Sequence, residues 1–203
     1  MKFSVLTIFI FIVLNSCTEK FQKLSSSKSD TGELLKKIAP NKNVQYWQLE
    51  RLPNWKDESK NFEILYKKGS YKSTETLPDY GNNGNGFFSD CQPLYCAYRI
   101  AFLENNVWEI VRSKEDLKSF IGEIDNENEA YLIGKINDYS IDYYSEKGNG
   151  FLKNKDGYKI KMMIYNNCPE SKESFTLLIT NEGKIQNLKS NGFYLKSKNC
   201  IVY

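Results

Sequence analysis

A chain of 203 residues with 28 basic and 25 acidic side chains carries a formal charge of only +3 and contains no histidine. Nothing in so nearly neutral a chain suggests the electrostatic footprint of nucleic-acid binding, which needs clustered basic charge. Without histidine, Ser-His-Asp and Cys-His sites and imidazole general-base catalysis are excluded, which leaves carboxylates, lysine, tyrosine or serine for any chemistry.

The N-terminus reads as a targeting segment. Lys2 supplies a positive charge, and Phe3 to Leu14 is apolar except for Ser4 and Thr7. A spanning helix needs about 20 such residues, so this shorter run has the length of a signal-peptide core. The residues that follow, Leu14-Asn15-Ser16-Cys17, resemble the lipobox of bacterial lipoproteins, in which a leucine and small residues precede the cysteine that is lipidated. The resemblance covers the first seventeen residues. It implies a signal peptide over 1–16, cleavage before Cys17, a diacylglyceryl thioether on that sulfur and a further acyl chain on the new amine. Each buried methylene contributes about 0.8 kcal/mol, and two or more chains hold stably where one binds marginally. Thr18 stands where an aspartate would suggest retention at an inner membrane, so the resemblance leans towards the outer membrane of a cell that has one.

Residues 17–31 are polar and serine-rich, the composition of a flexible lipidated tether. The rest, 32–203, has the length of a single domain. Glu33–Ile38 has a short helical pattern that Pro40 would stop. Around Tyr46-Trp47 and Trp55 the chain is aromatic but interrupted by Pro53, and no element is assigned. Phe62–Tyr66 alternates as a strand, and Leu77–Gly86 is turn chemistry throughout. Tyr95–Leu103 and Val107–Val111 read as a hairpin about Glu104-Asn105-Asn106.

Ser113 with Asp116 predicts a capped helix carrying Leu117, Phe120, Ile121 and Ile124 at helical spacing. Asp125 or Asn126 caps a second, with Glu127 and Glu129 in its first turn. Asn137–Lys155 reads as a long loop. Tyr158, Ile160, Met162 and Ile164 then alternate with lysines, the period of a half-buried strand. Phe175–Thr180 and Lys184–Leu188 flank Asn181-Glu182-Gly183, a hairpin signal. Phe193–Leu195 and Cys200–Tyr203 add one or two short strands. This order predicts an α+β fold: an antiparallel sheet of hairpins, with two short consecutive helices between the first hairpin and the C-terminal strands.

Five cysteines occur. With Cys17 given to lipid, Cys91, Cys96, Cys168 and Cys200 form an even set, and export makes two disulfides the natural reading. Three connectivities are open. The preferred one closes Cys91–Cys96 around Pro93 and leaves Cys168 to Cys200. Zinc usually wants closely spaced cysteine pairs or histidines, and this chain has no histidine while Cys168 and Cys200 stand 32 residues apart.

No residue is assigned a catalytic, cofactor or metal role, and no cofactor is expected. Ser25 and Lys28 have the S-x-x-K spacing of some serine hydrolases but lie in the predicted tether. Acids such as Asp138 with Asp142, or Glu123 with Asp125, are read as caps and solvated charge. Possible ligand contacts are the loop aromatics Tyr80, Phe87, Phe88, Tyr139, Tyr143 and Tyr144, which would stack on a sugar or grip a protein, or else pack on the sheet. The function predicted is a membrane-tethered envelope lipoprotein serving as a binding or structural module. Its partners would be the membrane, through the lipid on Cys17, and an envelope protein or glycan. The alternatives are a lipidated inhibitor or immunity-type protein and, less favoured, a carboxylate-based hydrolase.

Overall fold

A computed structural model of the chain describes residues 19–25, 31–40, 43–53, 62–72, 86–89 and 96–201. In chain order the elements are α1 (Thr31–Leu35), β1 (Val44–Pro53), β2 (Glu63–Gly69), β3 (Cys96–Glu104), β4 (Val107–Val111), α2 (Lys114–Ile121), α3 (Glu127–Ile136), β5 (Gly150–Asn154), β6 (Gly157–Asn167), β7 (Glu170–Thr180) and β8 (Ile185–Lys196). The fold is α+β. Its strands form two antiparallel four-stranded sheets, ordered β2-β1-β3-β4 and β5-β6-β7-β8, with α2 and α3 between them in the chain.

Local chemistry explains most of these boundaries. Asn105 and Asn106 both take positive φ, 52° and 62°, the backbone that a two-residue hairpin of this hand requires and that asparagine tolerates. Helix α2 begins in a full capping box: Ser113 Oγ accepts from the Asp116 N–H, and the Asp116 carboxylate accepts from the Ser113 N–H. Asn126 and Glu129 make the same reciprocal pair at α3. Gly183, at φ 68°, closes the β7–β8 turn.

One core joins both sheets through the helices. Trp47 pairs with Phe102 and Leu49 with Ile100 on the inner face of the first sheet. There Phe120 of α2 packs 5.9 Å from the Trp47 ring and 5.0 Å from Phe102. Helix α3 closes on the second sheet at Gly134, where a side chain would overlap Met162 of β6. The alternation along β6 holds from Tyr158 to Met162, with Tyr158, Ile160 and Met162 buried and Lys159 and Lys161 on the other face, but it ends there: Met163 is buried and Ile164, expected inside, is exposed.

Several expectations are corrected. Of the unassigned aromatic stretch, Tyr46 and Trp47 lie in β1, an inner strand of the first sheet, while Trp55 lies outside the described residues. Tyr46 through Glu50 are all buried, so the strand shows no alternation for a sequence reading to detect. The predicted loop 137–155 contains β5, an edge strand paired to β6. The two segments around Lys184 and Phe193 are one strand, β8, with three register shifts against β7. Cys200 and Ile201 are not in a strand, although the Ile201 N–H donates to the Asn167 carbonyl. Finally, the predicted tether is docked within residues 21–24: Gln22 forms a β-bridge with Phe151, and Leu24 is only 2% exposed. Among the described residues no helix is long and apolar enough to cross a membrane.

Candidate functional site

The residues singled out from the sequence do not converge on one surface. Cys17, Tyr80 and Cys91 lie outside the described residues, and Cys96 opens β3. Phe87 and Phe88 are buried, edge to face at 5.5 Å, and Phe87 exchanges backbone hydrogen bonds with Tyr98. Tyr139 packs 5.5 Å from Phe175, and Tyr143 lies against the core. Tyr144 alone among the described members of the set is fully presented, at 95% exposure. Cys168 and Cys200 are joined by a disulfide, tying the β6–β7 turn to the C-terminal segment.

The N-terminal segment is held by a clasp. Gln22 and Phe151 exchange two backbone hydrogen bonds of 2.8 and 2.7 Å. Two residues on, the side-chain amide of Asn149 takes over the part of a strand. Its Oδ1 accepts from the Leu24 N–H at 3.1 Å, and its Nδ2 donates to the Leu24 carbonyl at 3.0 Å. The Tyr131 hydroxyl donates to the same Oδ1 at 3.1 Å. Asn149 is buried, so every polar atom in this knot must find a partner within the protein. Burial pushes the Tyr131 hydroxyl pKa up, which keeps it protonated as a donor. Beside the clasp a cavity of about 490 Å³ opens between residues 19–23, Glu146 and Lys161. Lys161 Nζ lies 4.3 Å from the centre of the Phe21 ring.

A second polar knot fastens the loop after α3. Asp142 is buried; its Oδ2 accepts from Lys172 Nζ at 3.0 Å and from the Tyr194 hydroxyl at 2.8 Å, and its Oδ1 accepts from the Tyr144 N–H. Burial alone would raise its pKa, but the hydrogen bonds from Lys172 and Tyr194, with the lysine charge, bring it below the usual value. Burial and the neighbouring carboxylate push Tyr194 up. Asp138 is exposed and paired with Lys114, 24 residues away in the chain.

The outer face of the first sheet carries a third. The Tyr46 hydroxyl donates to Gln48 at 2.8 Å, the Gln48 amide donates to Glu50, and Arg99 Nε donates to the other Glu50 oxygen. All four side chains are buried. Tyr46, Tyr71 and Trp108 form an aromatic triad at one end, with centroid separations of 4.8 to 5.7 Å. Burial and the charge of Glu50 contribute to raising the Tyr46 pKa.

The buried acids therefore serve as fasteners. Glu50 holds Gln48 and Arg99, Asp142 holds Lys172 and Tyr194, and Glu129 accepts from the N–H groups of Ala39, Asp125 and Asn126. A carboxylate saturated with donors fixes chain segments and has little freedom to move a proton on a substrate. Among the described residues no three His, Cys, Asp or Glu side chains converge to hold a metal ion. A second cavity, about 290 Å³, is lined by Lys114, Lys135, Asp138, Tyr139 and Ser140. Sequence reasoning missed Asn149 and the Glu50–Arg99 pair, because their partners are distant in the chain. No family model, curated protein or solved structure matches this chain.

Proposed function

We propose that the mature chain is a lipid-anchored binding module of the bacterial cell envelope, held through Cys17 and bearing a rigid disulfide-stapled domain. The observation that carries this reading is Leu14-Asn15-Ser16-Cys17 at the end of a short apolar run behind Lys2. Two features of the domain support it. The Cys168–Cys200 disulfide suits an oxidising compartment outside the cytoplasm. The buried carboxylates are committed to structural hydrogen bonds, which favours binding over turnover.

Cys17→Ser tests the anchor: the protein should move from the membrane to the soluble fraction and lose labelling by a fatty-acid probe. Unchanged retention and labelling would sink the proposal. Binding is tested by pull-down from detergent-solubilised envelope with the intact protein and with Tyr144→Ala, which removes the one fully presented aromatic of the described set. An envelope protein or glycan recovered by the first and lost by the second supports the reading. Recovery of nothing counts against it.

A further inference from the structure

We infer that the domain lies directly against an anionic phospholipid surface, through residues 19–23 and the outer side of β5 and β6. The inference rests on the reading of Cys17 as the lipidated residue and deepens it by naming which face meets the membrane.

Reach is the first ground. An undocked tether over residues 17–31 would span roughly 50 Å when extended, at about 3.3–3.6 Å per residue. The clasp removes most of that length. Gln22 is bonded to Phe151 and Leu24 to Asn149, and Glu19 stands two residues after the cysteine. The Cα of Glu19 therefore lies within about 7 Å of the Cα of Cys17. A domain held that closely keeps the face beside Glu19 within reach of the headgroups, and the charge on that face then decides whether it settles on them.

The chemistry of that face is the second ground. Lys20 and Lys23 are exposed on the docked segment, and Lys159 and Lys161 project from β6 on the same side as Phe21. Facing them from the packed elements are Glu19, which pairs with Lys159, and Glu146 across the cavity. Four lysines thus stand against two glutamates. Phe21 is half-buried, and its close approach to the backbone at Gly150 leaves room for no side chain larger than hydrogen without displacement. Positive charge set around a recess of about 490 Å³ matches phosphate-bearing headgroups, and attraction of this kind acts within a Debye length, about 8–10 Å in physiological salt. The covalent reach and the range of the field agree.

The test uses the full lipidated protein reconstituted in vesicles of phosphatidylethanolamine and phosphatidylglycerol, in vesicles of phosphatidylcholine, and in detergent. A water-soluble amine-acylating reagent then maps lysine exposure by peptide mass spectrometry. In the anionic vesicles, labelling of Lys20, Lys23 and Lys161 should fall at least threefold relative to detergent, while exposed Lys118 on α2 is unchanged. High salt, or Lys20→Gln combined with Lys23→Gln, should restore labelling of Lys161. Equal labelling in anionic vesicles and detergent, with the protein still vesicle-bound, overturns this inference and leaves the anchor standing. Protection of the same size in phosphatidylcholine overturns it too, since charge would then play no part. Protein that carries no acyl chain and does not float with vesicles overturns the anchor and this inference together.

Discussion

Asn149→Ala is the most informative single change, because one side chain holds three buried polar groups. It removes the acceptor for the Leu24 N–H and the Tyr131 hydroxyl and the donor to the Leu24 carbonyl. Were residue 24 to stay docked, each orphaned group would cost about 1–3 kcal/mol. That sum exceeds the roughly 1.5–3 kcal/mol gained by burying a leucine side chain. Release of the clasp is therefore cheaper than retention, and the damage should be local. A loss of about 2 kcal/mol in docking raises the open population roughly thirtyfold, at 1.4 kcal/mol per factor of ten. Hydrogen exchange reads this directly. The amides of Gln22 and Phe151, which bond each other across the bridge, should exchange about thirtyfold faster, and trypsin should cut after Lys23. Amides in the middle of β7, such as Leu177, should keep their protection. Exchange at Gln22 and Phe151 within twofold of the parent would refute the claim that Asn149 holds the segment.

Three further outcomes are expected. Replacing Cys168 and Cys200 together by serine opens a loop spanning 32 residues, and chain entropy for that length predicts a loss of about 3–4 kcal/mol in urea unfolding; a change below about 0.5 kcal/mol would show that the β6–β7–β8 pairing already holds the ends. Asp142→Asn should cost about 1–3 kcal/mol at pH 7, through lost charge-assisted bonds to Lys172 and Tyr194. Because the folded pKa of Asp142 is lowered from 3.8, its contribution is present above that pH and is lost as pH falls through the lowered value. The gap between parent and variant should accordingly shrink in acid, and a gap that is constant or wider at pH 3 would contradict this. Gly134→Ala drives a methyl into the Met162 thioether; the flexible side chain can move, so the expected cost is about 1–3 kcal/mol by thermal or urea unfolding, and more for Gly134→Val.

What the sequence reveals here depends on how far apart the interacting residues are. The cap at Ser113, the choice of Asp125 or Asn126 that Asn126 settles, the turn within Glu104-Asn105-Asn106 and the alternation of β6 up to Met162 are all written within a few residues, and the fold contains them. Strand β1 hides because it is buried on both faces, so Gln48 and Glu50 sit inside beside Trp47 and Leu49 and the period of two disappears. The register shifts of β8 break its pattern in the same way and make one strand look like two. The clasp hides for a different reason. Composition marks 18–31 as linker, yet Leu24 is captured by an asparagine 125 residues away, and no local pattern encodes a partner at that distance.

The edges of the second sheet have a consequence for many molecules rather than one. An exposed strand edge offers its N–H and C=O groups to any extended chain that passes, and copies of the same protein are the commonest such chain. Along β8 the three register shifts turn those groups in changing directions, so a foreign strand cannot stay in step for more than a few residues. At the opposite edge, Gln22 already occupies the bonds of Phe151. Both margins are thus guarded, one by irregularity and the other by a strip of the chain itself. Where copies of the chain are crowded, that guarding keeps neighbouring molecules from joining into a continuous sheet.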